Sequence, residues 1–274
     1  MPMLEPIERE TLGEAHALLA RGFPMRKPDF WTEGLERLMA HHAASGLGPI
    51  GQIMRMKGES AGVMLTIRSR RADGGSVVNL SSWYVDPRFR LLAPRMLTRV
   101  LEEPADVFTD LTPSPAVTEM IGRFGFVQRH AGALLVALPV AAFVPGGGAR
   151  ILDGIPDSAE AVMLAGHRDL GCLVLRLITD DGEMPLVVSV ASRRGLPVAR
   201  IIYATDLAAV RGAIGPIARH LLARGLAVLE LPADPGDHVP GGWFTRRARP
   251  TFFRGTPPAA AVDHAYSEFV FLRI

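Results

Sequence analysis

The sequence contains a single cysteine, Cys172, which excludes an intrachain disulfide. This residue lies in the apolar stretch Gly171 to Leu175, so we expect a buried, unreactive thiol rather than a nucleophile. The longest apolar run, Ala131 to Val144, is too short to span a bilayer and contains Pro139. Because the first residues also lack the basic and apolar segments of a signal peptide, we expect a cytoplasmic protein without membrane insertion.

The sequence also lacks a large excess of charge of one sign. Lysine and arginine total 30 against 28 aspartates and glutamates, so a nucleic-acid partner is not expected. No histidine pair has metal-ligand spacing with a second pair, and the Gly-x-Ser-x-Gly and P-loop patterns are missing. We therefore predict no metal site, no hydrolase of that type and no NTPase. One basic cluster could hold a phosphorylated or acidic ligand, although a solvated loop explains it more simply: Arg246, Arg247, Arg249 and Arg254.

The composition is that of a globular protein, because 48% of the 274 residues are hydrophobic. The length is enough for two domains of about 130 residues each. Hydrophobic spacing in the first part predicts both helices and strands. The predicted helices are 10–20, 30–42, 94–102 and 115–124, and the predicted strands are 50–56, 60–69, 76–84, 106–111 and 132–138. The first three strands form an antiparallel meander, and 76–84 with 106–111 forms a parallel strand-helix-strand unit.

A linker of proline and three glycines, Pro145 to Gly148, separates this part from a second one in which the element order partly repeats. We predict strands at 171–178, 185–192, 197–203, 227–231 and 266–274, and a helix at 207–224. The second copy is degenerate, since the prolines and glycines of 234–242 exclude a helix after strand 227–231. The predicted fold class is mixed α/β (α+β), with two related domains in tandem, 1–144 and 149–274.

The segment Val85 to Arg95 resembles the cofactor turn of the GNAT superfamily of N-acetyltransferases. In that family a strand ends in Val-x-Pro and is followed by Arg or Gln, two residues, Gly, one residue, and Gly or Ala. Here Arg90 matches the first position, Ala93 stands for the first glycine and Arg95 for the last small residue. The resemblance implies that backbone N–H groups of the turn hold acetyl-CoA or another acyl-CoA. The implied cofactor residues are Trp83, Val85, Arg88, Arg90, Leu91, Leu92, Ala93 and Arg95.

A second match lies downstream, where Ser114 precedes a helix that ends in Gly125-Phe126, as in many GNAT members. Members often carry a tyrosine five residues before the phenylalanine to protonate the leaving thiolate, and this chain has Ile121 there. The predicted catalytic residues are Tyr84, Asp110 and Ser114. Asp110 could act as a base or bind the acceptor amine, or simply bond to the turn that follows it.

Strand alternation predicts that Ser82 and Tyr84 lie on one face of the strand and Ser81 and Trp83 on the other. Tyr84 would then protonate a thiolate, although an aromatic residue in such a strand is more often part of the core.

The paired layout also resembles tandem-GNAT bacterial proteins. This resemblance implies an acyl-CoA-dependent acyltransferase that acts on an amine or hydroxyl of a small molecule or amino sugar, bound between the domains. The alternative is a catalytically silent GNAT-like binding or scaffold protein, which Pro94 and Ile121 favour. A further alternative, an amino-sugar acyltransferase of polysaccharide biosynthesis, rests on family analogy. We make no prediction about oligomeric state.

Overall fold

The computed structural model describes residues 3–193, 195–247, 249–257 and 260–274. In the first half, helices α1 to α5 are Leu12–Gly22, Pro28–Ser45, Ala93–Val100, Pro115–Met120 and Leu138–Ala141. Strands β1 to β7 are Met3–Pro6, Gly51–Met56, Glu59–Arg70, Ser76–Val85, Val107–Asp110, Val127–His130 and Gly132–Ala137. Two 3₁₀ helices precede α3 and follow α4, at Pro87–Leu92 and Ile121–Phe124.

In the second half, strands β8 to β15 are Arg150–Asp153, Leu173–Thr179, Gly182–Arg193, Leu196–Ala204, Val228–Ala233, Gly242–Thr245, Thr251–Gly255 and Val262–Asp263. Helices α6 to α9 are Ala161–Asp169, Leu207–Gly212, Ile214–Leu222 and Glu268–Phe271. Short elements at β1, β6, β8, β13, β14 and α6 were not predicted from the sequence.

Two mixed sheets repeat one arrangement. The first has the order β1-β2-β3-β4-β5-β14-β6 and the second β13-β7-β12-β11-β10-β9-β8, with β15 paired to β11. In each sheet three consecutive strands are antiparallel, and the third pairs in parallel with the strand after a helix: β4 with β5, and β11 with β12. The predicted meander, the parallel units and the internal repeat are therefore confirmed. The segment after β12 forms turns rather than a helix, as its prolines and glycines indicated.

The two halves exchange strands. We expected the strand at 132–138 to complete the first part, but β7 pairs with β12 and β13 of the second sheet. In return β14 lies between β5 and β6 of the first sheet. The physical reason is that pairing covers strand edges that would otherwise be open, and hydrophobic spacing does not reveal which edge a strand will cover. Division of the chain into separate domains at 144 and 149 stays a prediction.

Two other predictions were wrong. The chain end, 266–274, is not a strand but contains α9, because Phe269 to Leu272 are buried in succession and such a run fits a helix as well as a strand. The single helix predicted over 207–224 is divided into α7 and α8 at Ala213. Pro216 has no N–H to donate to the carbonyl four residues earlier, which interrupts the helical ladder.

The hydrophobic core joins the halves. One cluster of buried residues combines Leu18, Trp31 and Leu35 of α1 and α2 with Val187 of β10 and Phe271 of α9. The halves are therefore held by apolar contact, and burial favours this contact by about 25 cal/mol per Å² of apolar surface removed from water. No helix within the described ranges is both long and apolar enough to cross a membrane.

Candidate functional site

The parallel strands β4 and β5 separate at their carboxyl ends. Their last paired residues are Leu80 and Asp110, and β4 continues beyond this pair to Val85. The backbone of β4 that follows Leu80 therefore has no ladder partner on the β5 side. Ligands bind preferentially outside the carboxyl ends of parallel strands, so this opening is the first element of the site.

Strand β4 also contains a β-bulge at the opening. Ser82 and Trp83 together lie opposite the single residue Met64 of β3. Ser82 has a φ of 48°, which non-glycine residues adopt rarely and mostly at positions under structural constraint. The bulge breaks the alternation predicted from the sequence, since Ser81, Ser82 and Trp83 all line one cavity.

Tyr84 follows the bulge and lies elsewhere. It is not among the described residues that line the cavity, and it packs against the cluster that contains α1. Its ring covers Gly22, where an added Cβ would meet Tyr84 Cγ at 2.4 Å. The catalytic role predicted for Tyr84 therefore gains no support from its position.

A cavity of about 380 Å³ lies between the two halves. The first half supplies a mostly apolar wall, which includes Phe30, Trp31, Trp83, Leu97, Val117 and Ile121. The second half supplies a polar wall, which includes Arg193, Arg200, Glu230, Arg247, Arg249 and His264. The size and the asymmetric lining suit a small ligand with an apolar part and a charged part.

Asp110 lines the cavity at the end of β5. Burial, and secondarily the carboxylate of Glu268, raise the pKa of Asp110 to about 8. Burial also raises the pKa of Glu268, at the start of α9, to about 7. Glu268 Oε1 accepts a hydrogen bond of 3.0 Å from Thr112 Oγ1. At neutral pH Asp110 is therefore mostly protonated and can become a base as the pH approaches 8.

The arginines of the polar wall differ in their partners. Arg200 donates from Nε to Glu230 Oε1 at 2.7 Å, and Arg193 forms an ion pair of 2.8 Å with the other oxygen of Glu230. Arg249 donates from Nη1 to the carbonyl of Thr112 at 2.7 Å. Among the described residues neither Arg247 nor Arg249 forms an ion pair with a carboxylate.

Ser114 lines the cavity and caps α4. Its hydroxyl accepts a hydrogen bond of 3.3 Å from the backbone N–H of Val117. Ile121, at the position where GNAT members often have a tyrosine, is fully buried and also contributes to the cavity wall. Of the three predicted catalytic residues, the cavity therefore brings together Asp110 and Ser114.

The turn predicted to hold the cofactor is folded as the 3₁₀ helix Pro87–Leu92, and three of its N–H donors are occupied. The carboxylate of Asp86 accepts from the backbone N–H of Arg88 at 3.0 Å and from its Nε at 3.1 Å. The N–H of Phe89 donates to the carbonyl of Asp86 at 2.8 Å, and that of Ala93 donates to Arg90. These three N–H groups are therefore not free to bind a pyrophosphate.

The side chains of this turn point to several environments. Of the predicted cofactor residues, Trp83 alone contributes to the cavity wall in the described chain. Val85 is buried, Leu92 and Ala93 are half-buried, and Arg88, Arg90, Leu91 and Arg95 are exposed. The guanidinium of Arg88 is paired with Asp86, whose pKa it lowers chiefly by hydrogen bonding. The predicted turn and the cavity are therefore distinct regions.

Several residues of the cavity wall were not predicted from the sequence. His264 is buried, and burial, followed by the neighbouring His130 and Arg200, lowers its pKa to about 3, so the ring is neutral. Arg26 reaches the cavity from the loop between α1 and α2. These residues come from distant parts of the chain, and no local spacing indicates that they meet. Within the described ranges no group of histidine, cysteine, aspartate or glutamate is arranged to bind a metal ion.

No protein-family model and no curated protein matches this sequence. Solved structures do match its fold. A GCN5-related N-acetyltransferase from Anabaena variabilis has a TM-score of 0.58 at 10% identity, over 93% of this chain and 72% of that one. A Pyrococcus horikoshii protein proposed to be an acetyltransferase has a TM-score of 0.55 at 11% identity, over 97% of this chain and 93% of that one.

A third similar structure is the GCN5-related glucosamine N-acetyltransferase region of a fungal multi-domain β-N-acetylglucosaminidase. Its TM-score is 0.53 at 14% identity, over 92% of this chain and 38% of that one. All three alignments extend through both halves, so the paired arrangement of sheets, and not one half alone, is shared with these structures.

Proposed function

We propose that this chain, which has the GNAT fold in two consecutive halves, transfers an acyl group from an acyl-CoA to an amine or hydroxyl in the cavity between them. The observation that carries the proposal is the opening between β4 and β5, which leads directly into the cavity with Asp110 at its edge. Similarity at 10 to 14% identity supports the fold, and the chemistry rests on the residues at this opening.

The opening suits the thioester end of an acyl-CoA. The bulged backbone of Ser81 to Trp83 has no partner on the β5 side and can bond to the pantetheine amides and to the carbonyl oxygen of the thioester. The apolar wall around Leu97, Val117 and Ile121 can accept the acyl chain. These residues orient the acyl group and exclude water from it.

The turn does not suit the pyrophosphate equally well. Asp86 and the 3₁₀ helix occupy the N–H groups of Arg88, Phe89 and Ala93, and proline has no N–H to offer. The exposed guanidinium groups of Arg90 and Arg95 can still attract phosphate. We therefore expect weaker acyl-CoA binding than a fully open amide turn would provide.

Asp110 is the proposed proton acceptor. An acceptor amine must lose a proton as it attacks the thioester carbonyl, and a carboxylate with a pKa near 8 is well matched to receive it. The C–S bond breaks as the new amide forms, and the thiolate leaves. Because Ile121 replaces the usual tyrosine, no side chain at that position supplies a proton to the thiolate.

Free-thiol release is the direct test. The full chain is mixed with acetyl-CoA or a longer acyl-CoA and with a panel of amines that includes amino sugars and acidic amino acids. Thiol release that depends on an amine supports the proposal, and calorimetry measures acyl-CoA binding separately. If the chain binds neither acetyl-CoA nor a longer acyl-CoA, it is not an acyl-CoA-dependent acyltransferase.

A catalytically silent binding protein is the second proposal. It is supported by the occupied amides of the turn and by Ile121 in the cavity wall. It predicts a ligand bound in the cavity without amine-dependent thiol release. An amino-sugar acceptor is a narrower form of the first proposal, and its support is the similarity to the glucosamine N-acetyltransferase region.

A further inference from the structure

Three arginines reach the cavity without an acidic partner in the described part of the chain. Arg26 belongs to the loop between α1 and α2, whereas Arg247 and Arg249 belong to the segment between β13 and β14. Within the residues that the structure describes, none of the three forms an ion pair with a carboxylate. The first and second halves therefore contribute unneutralised positive charge to the same cavity.

Two of these side chains are held in place. Arg249 donates from Nη1 to the carbonyl of Thr112 at 2.7 Å, and the guanidinium carbon of Arg26 lies 4.6 Å from the centroid of the Phe30 ring. Burial, and then the charge of Arg249, lower the pKa of Arg26, as expected when like charges are held near each other. Such an arrangement costs free energy unless an anion compensates it.

The rest of the cavity does not supply that anion from its side chains. The described lining contains five arginines and two side-chain carboxyl groups, Asp110 and Glu230, and the main-chain oxygen of Ile274 in the same lining accepts a hydrogen bond from Arg200. Glu230 is bonded to Arg193 and Arg200, so it is not available to the other three arginines. Asp110 is mostly protonated at neutral pH, because burial raises its pKa to about 8.

We infer that Arg26, Arg247 and Arg249 form a subsite for an anionic group, a carboxylate or a phosphate, of the ligand in this cavity. Arginine presents its donors as a planar fork that matches both groups. If the proposed function holds, on which this identification rests, the acceptor carries its nucleophile near Asp110 and an anionic group at the arginines. The other source of the same chemistry is a phosphate of CoA itself.

The test uses binding as its readout. Inorganic phosphate and glutarate are titrated by calorimetry into the full-length wild type, into the R26Q/R247Q/R249Q variant and into Arg246→Gln. Arg246 is the matched control, because it precedes Arg247 in the same segment but does not contribute to the described cavity wall. We expect the triple variant to bind at least one anion about tenfold more weakly than wild type, and Arg246→Gln to bind like wild type.

A second arm distinguishes the two sources. Acetyl-CoA and S-acetylpantetheine, which has no phosphates, are titrated into the same proteins. If the triple variant binds acetyl-CoA more weakly than wild type but binds S-acetylpantetheine equally well, the subsite holds a CoA phosphate. Unchanged binding of both thioesters, with weaker binding of phosphate or glutarate, assigns it to the acceptor.

Failure of this inference is separable from failure of the proposed function. A wild type that binds neither phosphate nor glutarate, or a triple variant that binds them equally well, overturns the subsite even if acyl transfer occurs. Anion binding that depends on the arginines supports the subsite even if no acyl-CoA binds. If loss of the Arg249 bond to Thr112 unfolds the triple variant, the single variant Arg247→Gln is used instead. We expect it to bind phosphate or glutarate about threefold or more weakly than wild type.

Discussion

The backbone N–H of Glu268 donates a hydrogen bond of 3.2 Å to Oδ1 of Asn79, which ties the start of α9 to the middle of β4. The other end of the Asn79 amide donates to Thr109 Oγ1 on β5 at 3.1 Å. One buried asparagine thus connects the last helix to both strands of the parallel pair. This connection places the carboxyl group of Glu268 near that of Asp110, and it makes the proton affinity of the site depend on the packing of the chain end.

Replacement of Asp110 by asparagine tests its role in proton transfer. We expect kcat with an amine acceptor to fall by about 10² to 10⁴, the usual contribution of a positioned acid or base. Affinity for acyl-CoA should change little, because the variant keeps the shape of the side chain. The wild-type rate should rise with pH up to about 8, where Asp110 ionises, and the variant should lose this rise.

Asp106 is the control for that experiment. It precedes β5, and Ser76 engages its carboxylate through a 2.8 Å bond from the backbone N–H and a 2.7 Å bond from the hydroxyl. Asp106→Asn should change kcat by less than about twofold, since surface substitutions distant from the chemistry have small effects. Equal losses in both variants would contradict a specific role for Asp110.

Stability should depend on pH through the same carboxyl groups. Folding raises the pKa of Asp110 from 3.8 to about 8 and that of Glu268 from 4.5 to about 7. Between these limits the folded protein keeps protons at these two groups that the unfolded chain releases, so their contribution to the free energy of unfolding falls as the pH rises from about 4 to about 8. Urea denaturation should show that the free energy of unfolding of wild type, minus that of Glu268→Gln, falls as the pH rises from about 4 to about 7.

Glu183→Gln is the control for the pH experiment. Hydrogen bonding to Arg176 lowers the pKa of Glu183 below 4.5, so above about pH 5.5 this group is ionised in both the folded and the unfolded chain. The variant should therefore keep the wild-type slope above that pH, even if its stability is lower at every pH. A Glu268→Gln protein with the wild-type slope would show that Glu268 does not retain its proton on folding.

Two glycines of α1 should respond in opposite directions to alanine. At Gly22 an added Cβ would meet Tyr84 Cγ at 2.4 Å, so Gly22→Ala must displace a packed ring and should cost about 1–3 kcal/mol. At Gly13 no atom lies within 4 Å of the added Cβ, so Gly13→Ala should be neutral or stabilise by up to about 1 kcal/mol. Thermal unfolding of both variants measures the difference, and equal effects would mean that Tyr84 does not pack against α1.

The exchanged strand β14 should be essential to the core of the first half. Phe252 is 8% exposed and belongs to the cluster of Met96, Leu97 and Phe108. Phe252→Ala should lower the free energy of unfolding by about 3–5 kcal/mol. Phe143→Ala, at a side chain that is 89% exposed, should change it by no more than about 0.5 kcal/mol. Similar small effects for both variants would argue against the strand exchange.

The local pattern of the sequence was sufficient for most of the regular elements. Alternation and turn residues predicted β2 to β4, and helical spacing predicted α1 to α3, because each of these elements buries one face against the rest of the molecule. The equal spacing of the strand-helix-strand units also revealed the repeat. Strands as short as β13 and β14, and the buried run of α9, carry no periodicity that distinguishes them.

The composition of the cavity was decided by tertiary structure. Asp110 ends β5 and Ser114 follows that strand, so the two could be predicted as neighbours. Arg26, Arg249 and Glu268 are separated from them by many residues and meet them only when the halves pack together. The direction of a side chain that follows a β-bulge also depends on tertiary structure. The extra residue at Ser82 and Trp83 changed the face on which Tyr84 lies, and no spacing rule places such a bulge.

The sequence by itself therefore determined the fold class and the repeat, because these follow from local hydrophobic patterns. Tertiary structure alone decided that Asp86 would occupy the amides of the turn and that the halves would exchange β7 and β14. It also decided that a buried carboxyl group would face a set of arginines across one cavity. The reason is physical: desolvation and charge proximity depend on which surfaces meet, and a linear pattern does not encode that directly.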